Sequence, residues 1–325
     1  MILAPMQGLT ELLFRRVYEE CFPGAIKLAV TPFLSLTHNL HNLLNDKNQS
    51  TTLRHYLRDV LPEANEGSIP ITPQILGKEP EEFIALGNRL YDMGYSEVNW
   101  NIGCPMRNIT GKHRGSGILP YPDEMRAVLD AVIPELKPKL SIKMRIGLRQ
   151  KEEIYALVPV LNDYSLSTVT IHPRLGRQQY TGLPDMETFG QVLPLIKHPV
   201  IYNGDIKTTA DIQQIKERFP KVADIMVGRG ILYNPTLPLE NEELRMKSEE
   251  SRWKSDKEEL TKHFIGRLME EIRQTAPTEE SALRKTKEYW CMLWRSLPIS
   301  EAEARKVLRE QELTAVDKMI YIFIQ

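Results

Sequence analysis

Short runs of apolar and β-branched residues recur along roughly the first 240 residues, and segments with helical spacing of apolar positions separate them. This alternation predicts strands and helices in turn, and therefore a parallel sheet. Eight strands are predicted, at residues 2–4, 27–31, 71–75, 97–101, 140–144, 168–172, 199–203 and 224–227. Eight such units favour an α/β fold of the (β/α)8 TIM-barrel type. A doubly wound open sheet is the alternative, and it is disfavoured because no G-x-G-x-x-G motif follows the first strand.

The predicted helices of this region each carry one apolar stripe, at intervals of three and four residues. The stripes are Leu12, Phe14, Val17, Tyr18 and Cys21; Phe83, Leu86, Leu90 and Met93; Met125, Val128, Leu129 and Val132; and Ile212, Ile215 and Phe219. The last stripe follows Thr208 and Asp211, whose spacing is that of an N-terminal capping box.

The pattern changes near residue 241, where strand-like runs stop and charged residues become more frequent. Three amphipathic helices are predicted from the stripes Leu260, Phe264, Leu268 and Ile272; Leu283, Trp290, Trp294 and Leu297; and Val307, Val316, Ile320 and Phe323. We therefore predict a barrel domain over residues 1–240 and a small α-helical domain over residues 241–325. Trp290 and Trp294 are interpreted as core residues, because a pair spaced by four on one helical face packs inward.

Composition narrows the class of protein. The 325 residues include three cysteines that are far apart and lack metal-ligand spacing, so we expect neither a disulfide framework nor a metal site. The amino terminus has no signal-peptide pattern and no segment has the length of a membrane span, and both features predict a cytoplasmic protein without membrane contact. We expect a monomer. The net charge of −1 leaves a nucleic-acid partner undecided, since a basic stripe can lie within a balanced total.

The candidate for chemistry is Cys104, which lies between Gly103 and Pro105 just after a predicted strand. Parallel α/β folds place reactive groups at this end of a strand. The basic, glycine-rich segment 107–117 follows and predicts a mobile loop that closes over an anionic substrate. A small buried hydrophobe is the other interpretation of a free cysteine, and the local sequence leaves both open.

Polar residues collect at the other predicted strand ends, which share one mouth of a barrel. Lys143 and Arg145 alternate with apolar residues and so share a face of the fifth strand. The loops after the seventh and eighth strands carry Gly204, Gly228 and Arg229, and barrels often bind phosphate at these two loops. A phosphorylated cofactor bound there would extend over Gln74, Lys143 and Cys104.

With these residues assembled, the chain resembles the tRNA-dihydrouridine synthase family. The resemblance rests on blocks in the family's order: residues 3–6, N-x-G-C-P at 101–105, G-x-G at 115–117, K-x-R-x-G at 143–147, H-x-R at 172–174 with Tyr180, N-G-D-I at 203–206 and G-R-G at 228–230. Asn99 stands where the family more often has Asp. The blocks cover the barrel, while the carboxyl-terminal domain fits by size and character.

The resemblance implies an FMN-dependent barrel that uses NADPH to reduce the C5–C6 double bond of a uridine in tRNA. Hydride would pass from reduced FMN to C6, and Cys104 would give a proton to C5. The implied FMN-binding residues are Pro5, Met6, Gln74, Lys143, His172, Asn203, Gly204, Asp205, Gly228 and Arg229. The implied substrate-binding residues are Asn101, Arg145, Arg174 and Tyr180. As a proton donor, Cys104 is expected to stay a thiol at neutral pH, without a tight cation pair.

Two other functions remain open at this point. One is an FMN oxidoreductase of a free pyrimidine, similar to dihydroorotate dehydrogenase, which would need neither the helical domain nor the basic segment. The other is a non-catalytic tRNA-binding barrel. The candidate tRNA contacts are Lys112, Arg114, Arg174, Arg177, Arg284, Lys285 and Lys287. The sequence does not identify which uridine is modified.

Overall fold

The computed structural model describes residues 1–36, 40–44, 51–246 and 257–325. Parts of the long connection between residues 35 and 70 and of the predicted helical domain lie outside the described residues. Ten parallel strands form one sheet. They are β1 (Ile2–Leu3), β2 (Leu28–Val30), β3 (Leu34–Ser35), β4 (Ile71–Thr72), β5 (Gln74–Leu76), β6 (Glu97–Ile102), β7 (Lys139–Gly147), β8 (Val169–Leu175), β9 (Val200–Asn203) and β10 (Asp224–Val227).

The sheet closes into an eight-stranded barrel, as predicted. β1 pairs with both β2 and β10, and the remaining strands follow in chain order through β9. Two of the eight strands are split in two. β4 and β5 are separated only by Pro73, which has no N–H to donate to the ladder, and β2 and β3 flank Pro32. Closure removes the open edges that a doubly wound sheet would have.

Helices cover the outside of the barrel. They are α1 (Leu12–Cys21), α2 (Leu40–Leu44), α3 (Thr51–Leu57), α4 (Pro62–Asn65), α5 (Pro80–Asp92), α6 (Arg107–Thr110), α7 (Pro122–Val132), α8 (Glu153–Asn162), α9 (Met186–Val192), α10 (Thr209–Arg218) and α11 (Arg229–Tyr233). The predicted stripes face the core, and Phe14, Phe83 and Met125 are fully buried. The capping box is confirmed, since the Thr208 hydroxyl accepts from the Asp211 N–H and the Asp211 carboxylate accepts from the Thr208 N–H.

The carboxyl-terminal region is helical, and its described residues form five α-helices where the sequence predicts three. Its elements are α12 (Leu237–Met246), α13 (Lys257–Thr275), α14 (Glu279–Leu293), α15 (Glu301–Arg309) and α16 (Leu313–Ile324). The single predicted helix containing Val307 and Val316 is wrong, because the chain turns extended at Glu310 and separates α15 from α16. The boundary predicted between residues 240 and 241 falls inside α12. Trp290 is fully buried, as expected for a core residue.

The helical region packs directly on the barrel. Phe264 of α13 stacks edge-on against Phe14 and Tyr18 of α1, with ring centroids 5.7 and 5.6 Å apart. Aromatic pairs in this geometry contribute beyond simple area burial. In the part of the chain that the structure describes, no helix is long and apolar enough to cross a membrane.

Candidate active site

A cavity of about 800 Å³ opens at the carboxyl ends of the strands. It brings together thirteen of the fifteen residues predicted for the site. They are Pro5, Met6, Asn101, Cys104, Lys143, Arg145, His172, Tyr180, Asn203, Gly204, Asp205, Gly228 and Arg229. Gln74 and Arg174 are the other two. Both are buried outside the cavity lining, and the direct contacts that the sequence predicts for them stay predictions.

Cys104 is held in place by its own backbone. Asn101 Oδ1 accepts hydrogen bonds from the N–H groups of Gly103 and Cys104, at 3.0 and 2.9 Å. The Cys104 carbonyl accepts from the N–H of Ser116 at 2.9 Å and from its hydroxyl at 3.0 Å. Burial raises the pKa of the thiol, against a smaller lowering effect of the Met106 N–H. Cys104 is therefore protonated at neutral pH, as its expected role as a proton donor requires.

The segment after Cys104 differs in part from the predicted mobile loop. Residues 107–110 form α6, and residues 115–118 form a 3₁₀ helix in which Gly115, Ser116 and Gly117 are buried. A β-carbon at Gly117 would overlap the backbone of Thr110, so the two short helices pack closely. The carboxyl half of the segment is thus a packed element, whereas the exposed residues, Arg107, Asn108, Gly111 and Lys112, lie before it.

A chain of buried amides lies behind the Cys104 wall. Asn101 Nδ2 donates to Gln74 Oε1 at 2.7 Å, and Gln74 Nε2 donates to Asn99 Oδ1 at 2.7 Å. Asn99 Nδ2 then donates to the Ser141 hydroxyl at 2.9 Å. The two N–H groups at Cys104 fix the orientation of Asn101 and hence of every amide behind it. Gln74 and Asn99 thereby support Asn101, a role the strand pattern did not reveal.

Lys143 and Arg145 of β7 share the cavity face, as their alternation predicts. Burial, together with the Arg145 charge, lowers the pKa of Lys143 to about 7. No ion pair to Lys143 exists among the described residues, so an anion in the cavity would be its natural partner. Arg145 donates to the carbonyls of Gly103 at 3.0 Å and Leu175 at 2.8 Å, and so ties the Cys104 loop to β8.

Arg174 is the centre of a buried ion-pair cluster. It is 1% exposed, and its guanidinium binds both carboxylate oxygens of Asp205, at 2.9 and 2.5 Å, and the carbonyl of Gly182 at 2.6 Å. Its two Nη atoms are engaged within the protein and its Nε is buried without a partner, so Arg174 reaches neither tRNA nor substrate in this arrangement. Arg174 Nη1 also lies 3.1 Å from His172 Nε2. Since arginine only donates, the His172 proton sits on Nδ1.

The charges around His172 and Asp205 set their protonation states. Burial, with the charges of Arg145 and Lys143, lowers the pKa of His172 well below its usual value, so the ring is neutral. Burial acts to raise the pKa of Asp205, but the hydrogen bond from Arg174 and the charges of Arg174, Arg229 and Lys207 together outweigh it and hold that pKa below its usual range. Asp205 has a φ of +42°, a strained conformation that this ion pair helps to hold.

Arg229 and Tyr180 form the outer rim of the same wall. Arg229 pairs with Asp205 at 3.1 Å, and its guanidinium lies 4.9 Å from the centroid of the Tyr180 ring. Arg145 lies 5.5 Å from the same centroid. Tyr180 is 57% exposed, so it presents an aromatic face to solvent at the cavity mouth.

The loops after β9 and β10, where the sequence predicts phosphate binding, lie against each other. A β-carbon at Gly230 would overlap the Ile206 carbonyl oxygen, so only glycine allows this approach. Asn203 Nδ2 donates to the Met226 carbonyl at 2.8 Å and joins β9 to β10. On the described lining of the cavity, six residues are Lys or Arg and Asp205 is the one acid. This cationic, glycine-lined cavity fits a phosphorylated cofactor such as FMN in size and in charge.

The cavity wall also includes a residue of the helical region, where the sequence predicts no site residue. Met292 of α14 lines the cavity, although it belongs to the helical region and no pattern in its neighbourhood indicates a site. Two predicted tRNA contacts are also engaged elsewhere. Arg114 pairs with Glu79, and Lys285 pairs with Glu11 at 3.1 Å. Lys112, Arg177 and Arg284 are exposed.

Known proteins resemble this chain along its length. A family model described as dihydrouridine synthase matches residues 2–317. The probable tRNA-dihydrouridine synthase of Rhodobacter capsulatus is 26% identical over 70% of this chain and 66% of its own length, so the chain spans about two thirds of that relative. The tRNA-dihydrouridine(16) synthase of Pseudomonas putida is 25% identical over 99% of this chain and 97% of its own length.

Two solved structures share the barrel fold. Histamine dehydrogenase from Rhizobium sp. 4-9 has a TM-score of 0.55 at 10% identity, over 83% of this chain and 48% of that one. Morphinone reductase has a TM-score of 0.50 at 14% identity, over 76% of this chain and 86% of that one. At such low identity the likeness is one of fold. The family match, in contrast, extends over nearly the whole sequence, and the chain therefore belongs to the dihydrouridine synthase family.

Proposed function

We propose that this protein reduces the C5–C6 double bond of a uridine in tRNA, with FMN as cofactor and NADPH as reductant. Membership of the family makes the chain a flavin-dependent oxidoreductase. The observation that carries the finer proposal is the meeting of two walls in one cavity. A protonated thiol, Cys104, lies on one wall, and a cationic wall with glycine-lined loops adjoins it.

The Cys104 wall supplies the proton. The raised pKa of the thiol keeps the proton on Sγ until the C5 carbon of the reduced base becomes basic enough to take it. The S–H bond breaks as the C5–H bond forms, and the thiolate left behind regains a proton from water. Asn101 fixes the Cys104 backbone, so the thiol is held ready before the base arrives.

The cationic wall holds the cofactor. Bound and reduced FMN would supply hydride to C6 of the base. Gly204, Gly228 and Arg229 would bind its phosphate, and Lys143 would place a cation beside the isoalloxazine. His172, neutral and protonated on Nδ1, can offer one ring donor. Pro5, Met6, Asn203 and Asp205 complete this wall.

The exposed aromatic and cationic residues at the cavity mouth fit a polynucleotide substrate. The exposed ring of Tyr180 lies between Arg145 and Arg229 and can stack against a base that has left its helix. Exposed Lys112 on the mouth can contact a phosphate. A substrate in tRNA also favours action in the cytoplasm. A free pyrimidine would not need this cationic aromatic rim.

The experiment measures dihydrouridine after the purified protein is incubated with NADPH, FMN and unmodified tRNA, and compares free uridine and dihydroorotate as substrates. We expect a yellow protein that forms dihydrouridine in tRNA only. Turnover of the free pyrimidines without tRNA reduction would favour the free-pyrimidine oxidoreductase. A colourless protein that takes up no FMN but binds tRNA would favour the non-catalytic barrel.

For the modified position we propose uridine 16. Two relatives named tRNA-dihydrouridine(16) synthase, from Pseudomonas putida and Aquipseudomonas alcaligenes, align over 99% and 98% of this chain, helical region included. The synthase B of Pasteurella multocida aligns over 72%. In this proposal the helical region orients the tRNA. Sequence similarity in that region therefore bears on which uridine is modified. Mapping dihydrouridine in tRNA from cells that lack this protein tests it, and loss at any position other than 16 refutes it.

A further inference from the structure

The loop after β1 is held from outside the barrel by α14. Gly8 and Leu9 point their carbonyls at this helix, where Lys285 Nζ donates to Gly8 and the Tyr289 hydroxyl donates to Leu9 at 2.8 Å. Gly8 has a φ of +79°, and a β-carbon there would overlap the Glu288 carboxylate. Glycine at this position therefore lets the loop and helix come into direct contact.

The next carbonyl along the loop is held as well. Arg15 Nη1 donates to the Thr10 carbonyl at 2.9 Å, and Arg15 is fully buried. Its guanidinium also binds the side chains of Asp59 at 3.1 Å and Asn65 at 3.0 Å, in the connection between β3 and β4. Three successive carbonyls thus accept from three side chains outside the loop. This also gives the connection at 35–70 a structural role that its sequence did not indicate.

The same loop forms part of the cofactor wall. Met6 lies in the cavity, and a β-carbon at Gly228 would be 3.4 Å from its sulfur, so the β1 loop packs against a proposed phosphate loop. The Met6 N–H donates to the Thr10 hydroxyl at 2.8 Å, which makes the loop one compact turn. A shift at Gly8 or Leu9 would therefore be transmitted to Met6. Met292, one turn beyond Glu288 on α14, lines the cavity directly.

We propose that Lys285 and Tyr289 are positioning residues for the cofactor, and that the helical region sets the shape of the FMN wall by gripping the β1 loop. Neither side chain lines the cavity, and they act through the carbonyls of Gly8 and of Leu9, which is itself part of the lining. Lys285 accordingly serves the interior of the protein instead of contacting tRNA. This inference rests on the proposed function, because it names FMN as the group whose site is shaped.

The test compares FMN affinity, without tRNA, in wild type and in the variants Lys285→Met and Tyr289→Phe. Each variant removes one donor to a loop carbonyl and leaves the packing volume nearly unchanged. A hydrogen bond of this kind corresponds to a Kd about tenfold weaker when it is lost. We expect that increase in the FMN Kd of both variants, with kcat at saturating FMN within about twofold of wild type.

Arg284→Met is the matched control, since it removes the same charge from an exposed position on the same helix. We expect its FMN Kd to equal that of wild type. Unfolding of the cofactor-free variants is measured in parallel. A lower Tm with an unchanged FMN Kd, in either Lys285→Met or Tyr289→Phe, would mean a purely structural contact and would overturn the inference.

Two further outcomes separate this inference from the proposed function. If Lys285→Met weakens tRNA binding as much as Arg284→Met does and leaves the FMN Kd unchanged, Lys285 is a tRNA contact and the positioning role is wrong. If the wild type itself takes up no FMN, the proposed function fails and the inference fails with it. Wild-type FMN binding with unaltered variants overturns the positioning role alone.

Discussion

The two walls of the cavity are built on different physical principles. The Cys104 wall is neutral, and its order comes from a directed chain of hydrogen bonds through Asn101, Gln74, Asn99 and Ser141. Each amide in the chain uses its oxygen as acceptor and its nitrogen as donor. Uncharged groups can be buried at small cost when every donor and acceptor is paired.

The adjoining wall is charged, and its order comes from ion pairs around Asp205. Arg174 and Arg229 share that one carboxylate, while Lys143 and Arg145 carry no carboxylate partner on the described cavity lining. Removing charges from water costs free energy that only a partner can offset. The contrast suits the proposed division of labour. A neutral wall favours the protonated form of a thiol, whereas a wall with excess positive charge favours the binding of an anion.

The largest expected effect comes from removing the thiol of the neutral wall. Cys104→Ala should lower uridine reduction by about 10³-fold, within the usual range for a lost general acid. Reduction of the bound flavin by NADPH should stay at the wild-type rate, because the cationic wall is untouched. Stopped-flow absorbance follows the flavin step, and dihydrouridine in tRNA reports the second. Full activity of the variant would remove Cys104 from the mechanism.

The second-largest effect concerns the charged wall, and it is measured as a change in the free energy of unfolding. Asp205→Ala leaves Arg174 buried without its carboxylate and should lower the free energy of unfolding by about 3 kcal/mol. Asp92→Ala is the control, since it breaks an exposed pair with Lys137 and should cost less than about 1 kcal/mol. Urea unfolding of both variants measures the difference. Equal losses would mean that Asp205 is no more important than a surface carboxylate.

The sequence predicts the barrel and most of the site for a simple reason. Period-two alternation shows which strand residues face the cavity, and a closed parallel barrel collects all strand ends at one mouth. Lys143 and Arg145 were found in this way. Alternation does not show depth, so it does not reveal that Gln74 and Arg174 are buried outside the cavity lining.

Other features depend on long-range packing that local patterns do not carry. Met292 enters the cavity because α14 docks against the β1 loop, and nothing in its own helix indicates that orientation. The break between α15 and α16 occurs at Glu310, without a glycine or proline to mark it. Arg15 of α1 forms an ion pair with Asp59 in the connection at 35–70, and no sequence motif in that connection indicates this contact.

The pH dependence of the free energy of unfolding tests whether burial in the charged wall disfavours the protonated form of Lys143. The pKa of Lys143 is about 7 in the folded, cofactor-free protein and about 10.4 in an unfolded chain. Between these values the unfolded state binds more protons, so the free energy of unfolding should rise with pH, by at most about 1.4 kcal/mol per unit. Below pH 7 the lysine is protonated in both states, and its contribution to the slope vanishes.

Lys143→Met should remove this rise between about pH 7 and pH 10, because the variant has no group to titrate there. Lys137→Met, which removes an exposed lysine, should keep it. Urea titrations across the range give the comparison directly. If the free energies of unfolding of wild type and Lys143→Met change with pH in parallel, the charged wall does not disfavour protonated Lys143. The contrast with the neutral wall is then lost.

The smallest expected effect tests how the neutral wall works. Gln74→Leu keeps the side-chain volume but leaves Asn99 and Asn101 without their shared partner. The Cys104 backbone then loses its fixed support, and uridine reduction should fall about tenfold, the equivalent of one unpaired buried group. Gln191→Leu, the same change at an exposed position, should keep the wild-type rate. FMN affinity and flavin reduction should be unchanged in both variants, because Gln74 lies behind the cavity wall. A weaker FMN Kd in Gln74→Leu would instead return Gln74 to the flavin contact that the family resemblance implies, and the amide chain would then serve the cofactor as well as the thiol.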